Sequence, residues 1–173
     1  MWLKYDKVDN SKKLDDYQRA ISAVVIQGQS ETCEIIRQEL EEGLSGLLAK
    51  DVPFTKSLNE NNSLIIGTPS GSEIIKELSC LPSPDTLGDE GFIIKSVKID
   101  GRDTIIIASN EDVGLLYGTF DLLRLMQTGQ SLEDINIISK PRIQRRILNH
   151  WVGYTKPTRI AGQYFYFSFT GFN

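Results

Sequence analysis

The spacing of hydrophobic residues predicts one long central helix between Asn110 and Gly129. Its apolar residues recur at helical spacing and fill more than one stripe, which is more than a half-exposed helix on a small domain carries. They are Val113, Leu116, Tyr117, Phe120 and Leu123 on one face, with Leu115, Leu122 and Met126 widening it. We therefore expect a β-sheet against one side of this helix and a second element against the other.

Both ends of this helix carry sequence signals. Asn110 is a good N-cap, and Gly129 can close the helix in the left-handed conformation. Gly114 and Gly118 lie four residues apart on one helical face. Because glycine in a helix costs about 1 kcal/mol relative to alanine, this pair needs a packing reason. The simplest reason is a close approach between the helix and a sheet.

The remaining pattern alternates strands with helices. The elements predicted in chain order are a short strand at 2–5, a loop or solvated helical turn at 7–17, a buried strand at 20–27, a helix at 31–48 capped by Ser30, a strand at 63–67, a short helix opened by a capping box of Ser70 and Glu73, and a proline-containing loop at 82–89. Strands at 91–99 and 104–108 follow, joined by an Asp100-Gly101 hairpin turn. An apolar segment then ends at Lys140-Pro141, and 143–151 is expected to be a last strand. This order predicts an α/β (α+β) fold, a mixed β-sheet with helices packed on it.

Composition narrows the function classes. The 173 residues are 40% hydrophobic and 24% charged, as in an ordinary soluble globular domain. The net charge of -4 argues against a nucleic-acid partner, and no apolar run is long enough for a membrane helix. Cys33 and Cys80 form no metal-binding pattern, and Cys33 is expected to be a small buried side chain. No secretory signal is visible, but the compartment (cytoplasmic, periplasmic or secreted) stays open.

Four stretches, taken together, carry a family resemblance. The longest is Asp112-Val-Gly-Leu-Leu-Tyr-Gly-Thr-Phe-Asp-Leu-Leu-Arg-Leu-Met in the central helix. The others are Trp2-Leu-Lys-Tyr, Leu87-Gly-Asp-Glu-Gly-Phe-Ile-Ile, and Pro141 to Trp151 with its final Asn149-His-Trp. In this order and spacing they resemble the N-terminal domain of the microbial α-glucuronidases of glycoside hydrolase family 67. The resemblance covers residues 1–151.

This resemblance implies a non-catalytic α/β domain at 1–140 that precedes a (β/α)₈ barrel, with the first barrel strand starting at 141–151. Enzymes of the family remove glucuronic acid or its 4-O-methyl ether from glucuronoxylan fragments, with inversion. Inversion requires a carboxylic acid and a carboxylate base, and in the family these lie on later barrel strands, beyond position 173. We therefore expect this chain to be inactive alone, with no catalytic residue, cofactor or metal ligand, and with the missing barrel as its partner.

The site residues that the resemblance carries over are few. Trp151 would end the first barrel strand and line the sugar pocket once the barrel is present, although a packing role is as good an interpretation. His150 is the only histidine and is better explained by a structural or supporting role than by catalysis. Arg145 and Arg146 flank the same predicted strand and are expected to be surface charges, with a contact to the site open for one of them.

The chain departs from the family after Trp151. Six of its fifteen aromatic residues fall between Tyr164 and Phe172, in a β-prone, uncharged stretch that would favour aggregation if exposed. One hypothesis for 152–173 is a slipped reading frame or a truncated gene. The competing hypothesis is a real tail strand that pairs with the domain or with a second copy.

Two other classes of function stay open at the level of sequence. A free-standing carbohydrate-binding or protein-interaction module is the main alternative, although no extended row of exposed aromatic residues supports sugar binding. A small independent enzyme is disfavoured because no carboxylate pair, Ser/His/Asp set or metal cluster can be placed. The excess of apolar surface on the 110–129 helix further predicts that the isolated chain self-associates, giving a homo-oligomer.

Overall fold

A computed structural model describes residues 3–58, 61–78, 84–141, 151–152 and 167–168, the last two pairs through their backbone. The chain divides into two compact units, Met1–Pro141 and Arg142–Asn173, and each is described by itself. In the second unit, strand β7 (Trp151–Val152) pairs antiparallel with strand β8 (Phe167–Ser168).

The first unit is built around one mixed sheet. Its helices are α1 (Ser11–Ala20), α2 (Glu31–Leu48), α3 (Glu73–Lys76), α4 (Pro84–Leu87) and α5 (Asp112–Gln127), and its strands are β1 (Ala23–Gln27), β2 (Phe54–Thr55), β3 (Ser63–Gly67), β4 (Phe92–Ile99), β5 (Arg102–Ser109) and β6 (Asn136–Ser139). The strand order is β2-β1-β3-β5-β4-β6. The first four strands in that order are parallel, whereas β4 runs antiparallel to both of its neighbours. The predicted α/β class with a mixed sheet is confirmed.

The two faces of the sheet are covered differently. One face packs against α1, α2 and α5 and forms the larger core, to which the sheet contributes Val24, Leu64, Ile66, Ile94, Ile105 and Ile107. The alternate residues Val25, Ile65, Ile93, Ile106 and Ala108 form a smaller core with Ile75 of α3. Because successive side chains of a strand point to opposite faces, the unbroken apolar runs of β1, β3 and β5 supply both cores.

Helix α5 is covered on two sides within the larger core. It packs on β5 and β4 and also against α2, so the expectation of a sheet on one side and a second element on the other is confirmed. Its fully buried side chains include Leu115, Leu122 and Met126. Tyr117 and Phe120 belong to the main apolar face predicted from the sequence, but they are only half-buried.

Of the two residues predicted to end α5, only the C-terminal one is confirmed. Asn110 is not the N-cap, because its side-chain amide donates to the carbonyl oxygen of Gly88 (2.9 Å) and Glu111 takes the cap position without a side-chain hydrogen bond. Gly129 does close the helix, with φ of 71°. Its N–H donates to Met126 and the N–H of Gln130 donates to Leu125, the two bonds of a Schellman motif.

The close approach predicted at Gly114 and Gly118 is confirmed. A Cβ atom on Gly114 would lie 2.6 Å from the carbonyl oxygen of Gly91, beside β4. A Cβ atom on Gly118 would lie 2.6 Å from Cγ2 of Ile107 on β5. Both distances are shorter than van der Waals contact, so only glycine lets α5 sit this close to the sheet.

The beginning of the chain differs from the sequence prediction. Residues 11–20 form a helix of ten residues rather than a loop or a single turn, capped by the side chain of Asn10, which accepts from Lys13 N (3.0 Å). The sequence prediction missed this helix because most of its residues are charged or polar. Its one buried side chain is Tyr17, which lies in the core. The helix runs through Ala20, so β1 begins three residues later than predicted, and residues 3–5 form no strand.

The predicted caps and turns agree only in part with the structure. Ser30 caps α2 and Asp100-Gly101 form the hairpin turn with positive φ at both positions, so these predictions are confirmed. Ser70 is not the cap of α3, because Ser72 accepts from Ile75 N instead (2.9 Å). Part of the predicted 82–89 loop is helical, at Pro84–Leu87. Of the predicted last strand at 143–151, residues 143–150 lie outside the described residues.

Ala49 gives a test of helix termination. It ends α2 in the left-handed conformation (φ 49°, ψ 36°) with its side chain exposed. Because Cβ is strained there, Ala49→Gly is expected to raise the free energy of unfolding by about 1 kcal/mol in urea titrations. Gly129→Ala is the opposite substitution, because it places a Cβ atom at a left-handed position. It should lower the free energy of unfolding by about 1 kcal/mol. Equal stabilities for the two variants would contradict this account.

The contact of α5 with the sheet gives a second test. Gly114→Ala should lower the free energy of unfolding by about 1–3 kcal/mol, because the new Cβ meets a backbone oxygen that cannot move freely. Gly43→Ala on α2 is the matched control, since its Cβ would meet the movable methyl groups of Leu123 (2.8 and 2.9 Å) and adds helix propensity. Thermal unfolding that ranks the two variants equally would show that the close approach is not limiting.

Candidate functional site

The site residues predicted from the sequence fall in the second unit. Trp151 is the first residue of β7, where it stands opposite Ser168 in the two-stranded pairing. His150, Arg145 and Arg146 lie outside the described residues. The roles given to Trp151 and His150 therefore stay predictions.

Open α/β sheets usually bind ligands outside the carboxyl ends of their strands, so the ends of β1 and β3 are candidates for a site. Here the chain leaves β1 toward α2 on one face and leaves β3 toward α3 on the other, which opens a crevice between the two strands. The polar groups of this crevice bind one another: Ser72 Oγ donates to the side-chain oxygen of Gln27, and Gly71 N donates to Thr68 Oγ1 (3.1 Å). These polar groups at the strand ends are thus already engaged in hydrogen bonds with one another.

A polar groove of about 730 Å³ lies at the opposite end of the sheet, between α1, the β4–β5 hairpin and the loop before β6. Its charged walls carry two ion pairs, Arg19 with Asp16 (2.6 Å) and Lys98 with Asp103. Tyr17 is its aromatic residue, but the ring is 1% exposed and its hydroxyl donates to the carbonyl oxygen of Gln130. Burial raises the pKa of Tyr17, and Asp16 adds to this. The groove therefore offers surface charges, only some of them in ion pairs, without an open aromatic face.

An N-terminal strap, residues 3–8, crosses the seam between α2 and α5. The side-chain oxygen of Gln127 on α5 accepts from the backbone N–H groups of Lys4 (2.8 Å) and Tyr5 (3.4 Å). At the other end of the strap, Val8 N donates to the carbonyl oxygen of Leu47 on α2 (3.1 Å). The strap thus ties the first residues of the domain to both helices.

Tyr5 is the central residue of this strap. Its hydroxyl donates to Oε2 of Glu39 on α2 (2.8 Å), and its backbone has a positive φ of 54°. Gly46 of α2 makes room for it, since a Cβ there would lie 3.0 Å from Tyr5 Cβ. Burial, the hydrogen bond to Glu39 and the charges of Glu39 and Glu42 all raise the pKa of Tyr5.

A second groove, the α5 groove, has a volume of about 380 Å³ and lies between α5, the strap and the outer strands β4 and β6. Its walls are mainly apolar and include Leu3, Phe92, Tyr117 and Phe120. Phe92 and Ser139 are register partners on β4 and β6, so the sheet contributes one wall of the groove.

The polar rim of the α5 groove is an ion pair on α5. Both Nε and an NH2 group of Arg124 donate to Oδ1 of Asp121, at 2.8 and 2.6 Å. Asp121 is 20% exposed and Arg124 is 51% exposed, so the aspartate fixes the guanidinium at the mouth of the groove. The groove combines an aromatic interior with an oriented charge.

Sequence reasoning did not find the α5 groove. Its residues come from four separate stretches of the chain, at Leu3, Phe92, 117–124 and Ser139. The one usable signal was the excess of apolar residues on α5, because Tyr117 and Phe120 exceed what the buried face of the helix needs. Nothing in the spacing of residues pointed to Leu3 or Ser139.

No group of three or more His, Cys, Asp or Glu side chains among the described residues is placed to hold a metal ion. None of the described helices is both long and apolar enough to span a membrane. Cys33 is a buried free thiol, as expected.

The sheet with helices on both faces defines the first unit as a small α/β domain. Residues 1–122 match the family model described as Glycosyl hydrolase family 67 N-terminus, which is more than half of the chain. The chain belongs to this family. The resemblance seen in the sequence is thereby confirmed.

The curated relatives carry α-glucuronidase names. Alpha-glucuronidase A of Emericella nidulans is 25% identical over 157 residues, which cover 87% of this chain and 17% of that protein. Probable alpha-glucuronidase A of Aspergillus oryzae is 26% identical over 155 residues, with the same coverage. The chain therefore spans about a sixth of the length of these relatives.

A solved structure shares the fold. A GH115 4-O-methyl-α-glucuronidase with specificity for decorated arabinogalactans superposes with a TM-score of 0.52 at 18% identity. The match covers 70% of this chain and 18% of the other. At this identity the likeness shows the fold alone.

Tyr5 gives a pH-dependent test of the strap. Because the pKa of Tyr5 is raised in the folded state, the stability that its hydroxyl contributes is fully present below the unfolded tyrosine pKa of about 10. This contribution is lost progressively as the pH rises from that value through the higher folded-state pKa. Tyr5→Phe should lower the free energy of unfolding by about 1 kcal/mol at neutral pH. In urea titrations the difference between the two proteins should shrink above pH 10 or so. A difference that stays constant to high pH would contradict the role of the hydroxyl.

Proposed function

We propose that this chain is the non-catalytic N-terminal domain of an α-glucuronidase that acts on glucuronoxylan fragments. The parent enzyme releases glucuronic acid or its 4-O-methyl ether, and this chain by itself releases neither. The observation that carries the proposal is the family match over residues 1–122 together with α-glucuronidase relatives aligned over 87% of the chain.

The described residues are consistent with a supporting domain. An inverting glycosidase needs one carboxylic acid and one carboxylate that converge on the same bond. The polar groove has four carboxylates, of which Glu133 and Asp134 are exposed on the loop before β6. The other two, Asp16 and Asp103, pair with Arg19 and Lys98. Such exposed ion pairs are surface features that contribute little energy.

Trp151 is included in the proposal as a residue of the parent enzyme's sugar pocket. By the family resemblance it would end the first barrel strand, and barrel enzymes bind their substrates at the carboxyl ends of barrel strands. In that position its indole would offer a flat apolar face to a sugar ring. His150 beside it would support the strand rather than take part in the reaction.

A domain exchange tests the proposed function. In the Emericella nidulans enzyme, the aligned N-terminal stretch is replaced by the aligned part of this chain, and release of uronic acid from aldouronic acids is measured. The activity of the hybrid is expected to stay within about tenfold of that of the unaltered enzyme. A tenfold loss corresponds to about 1.4 kcal/mol less transition-state stabilisation.

The isolated chain is the control for this exchange. It should release no uronic acid from the same substrates. Release by the isolated chain, or a folded hybrid without activity, would overturn the proposal.

A further inference from the structure

We propose that the α5 groove is the surface on which this domain docks the catalytic portion that its relatives carry beyond the matched stretch. The inference rests on the proposed function, since it needs a parent enzyme with such a portion. It assigns the contact to one surface of the domain and to one kind of chemistry, an apolar side chain seated among aromatic rings.

The groove is preformed and held from three sides. The strap supplies Leu3, and the bonds from Lys4 N and Tyr5 N to Gln127 fix the strap to α5. The floor is Phe92, which is 6% exposed. Its ring lies directly beneath Gly118, at 3.3 Å from where a Cβ of that residue would be. The third side is the outer turn of α5 with Phe120. A rigid concavity of this kind loses little entropy on binding.

Its composition is that of a protein-binding hot spot. Phenylalanine, tyrosine and arginine are enriched in the cores of protein interfaces, where a few anchors supply most of the affinity. The α5 groove joins two partly buried aromatic rings, Tyr117 and Phe120, to the oriented guanidinium of Arg124. A mainly apolar lining favours an apolar anchor over a sugar, whose hydroxyl groups would need several hydrogen-bond partners.

The path of the chain argues for the catalytic portion as the occupant. Ser139, the last residue of β6, is itself part of the groove wall. The backbone therefore leaves the first unit at the edge of the α5 groove. In the relatives about five-sixths of the polypeptide lies outside the stretch that this chain matches. A catalytic portion tethered at this edge has a high effective concentration at the groove, so even a modest apolar contact would be occupied.

The same hybrid enzyme tests the inference, with substitutions in the groove. Phe120→Ser removes the aromatic anchor, and Arg124→Glu reverses the charge at the rim without touching the interior. Ile35→Ser is the matched control, because Ile35 is 45% exposed on α2 and is not part of the groove wall. Circular dichroism and thermal unfolding of each isolated domain first show which variants keep the fold.

The readout is the rate at which a protease separates the two portions of the hybrid under native conditions. This rate follows the population of the undocked state. Phe120→Ser is expected to raise it about thirtyfold, the effect of losing one hot-spot residue, and Arg124→Glu to raise it severalfold. Ile35→Ser should leave it unchanged.

Each other result overturns the inference. Equal cleavage rates in the groove variants and in the Ile35→Ser control would place docking elsewhere. A dimer of the hybrid enzyme that Phe120→Ser dissolves would make a second copy the occupant. Xylo-oligosaccharides that shift the NMR signals of Tyr117 would make the occupant a sugar. An inactive hybrid would instead remove the proposed function itself, whereas an active hybrid insensitive to the groove variants removes only this inference.

Discussion

The close contact between α5 and the sheet at Gly114 and Gly118 is the constraint on which the rest of the domain depends. It brings the helix near enough for its larger side chains to fill the core and for its far side to receive α2. A Cβ at either glycine would raise the helix off β5 and open space that the surrounding side chains cannot close. The strap and the α5 groove follow from this placement, because both are built on the outer surface of α5.

Much of the fold could be read from the sequence because its signals were redundant. The hairpin had two β-rich runs around an Asp100-Gly101 turn, and α2 had both a complete apolar stripe and Ser30 as its cap. Where one short polar residue competes with another, the sequence could not decide. Asn110 binds the loop at Gly88 rather than its own helix, and Ser72 lies nearer than Ser70 to the free N–H groups of α3. These choices depend on distances between elements that only the folded chain sets.

The grooves were not predictable for a different reason. Residues distant along the chain line the α5 groove, and the most distant of them, Leu3, lies in a segment held through the side chain of Gln127. Helix α1 was missed because its charges outweigh Tyr17, the one side chain that it buries. The family resemblance supplied what pattern and spacing lacked, since the composition alone describes any small acidic α/β domain.

The strap also places two parts of the first unit that are distant in sequence side by side. Leu3 and Ser139 line the same groove, although 136 positions separate them in sequence. When the early and late segments of a folded unit are neighbours, the unit can be inserted into a host chain, or removed, with little change in the path of the flanking polypeptide. The same proximity makes this domain a natural candidate for circular permutation, with the old ends joined by a short linker and new ends opened at the Asp100-Gly101 turn.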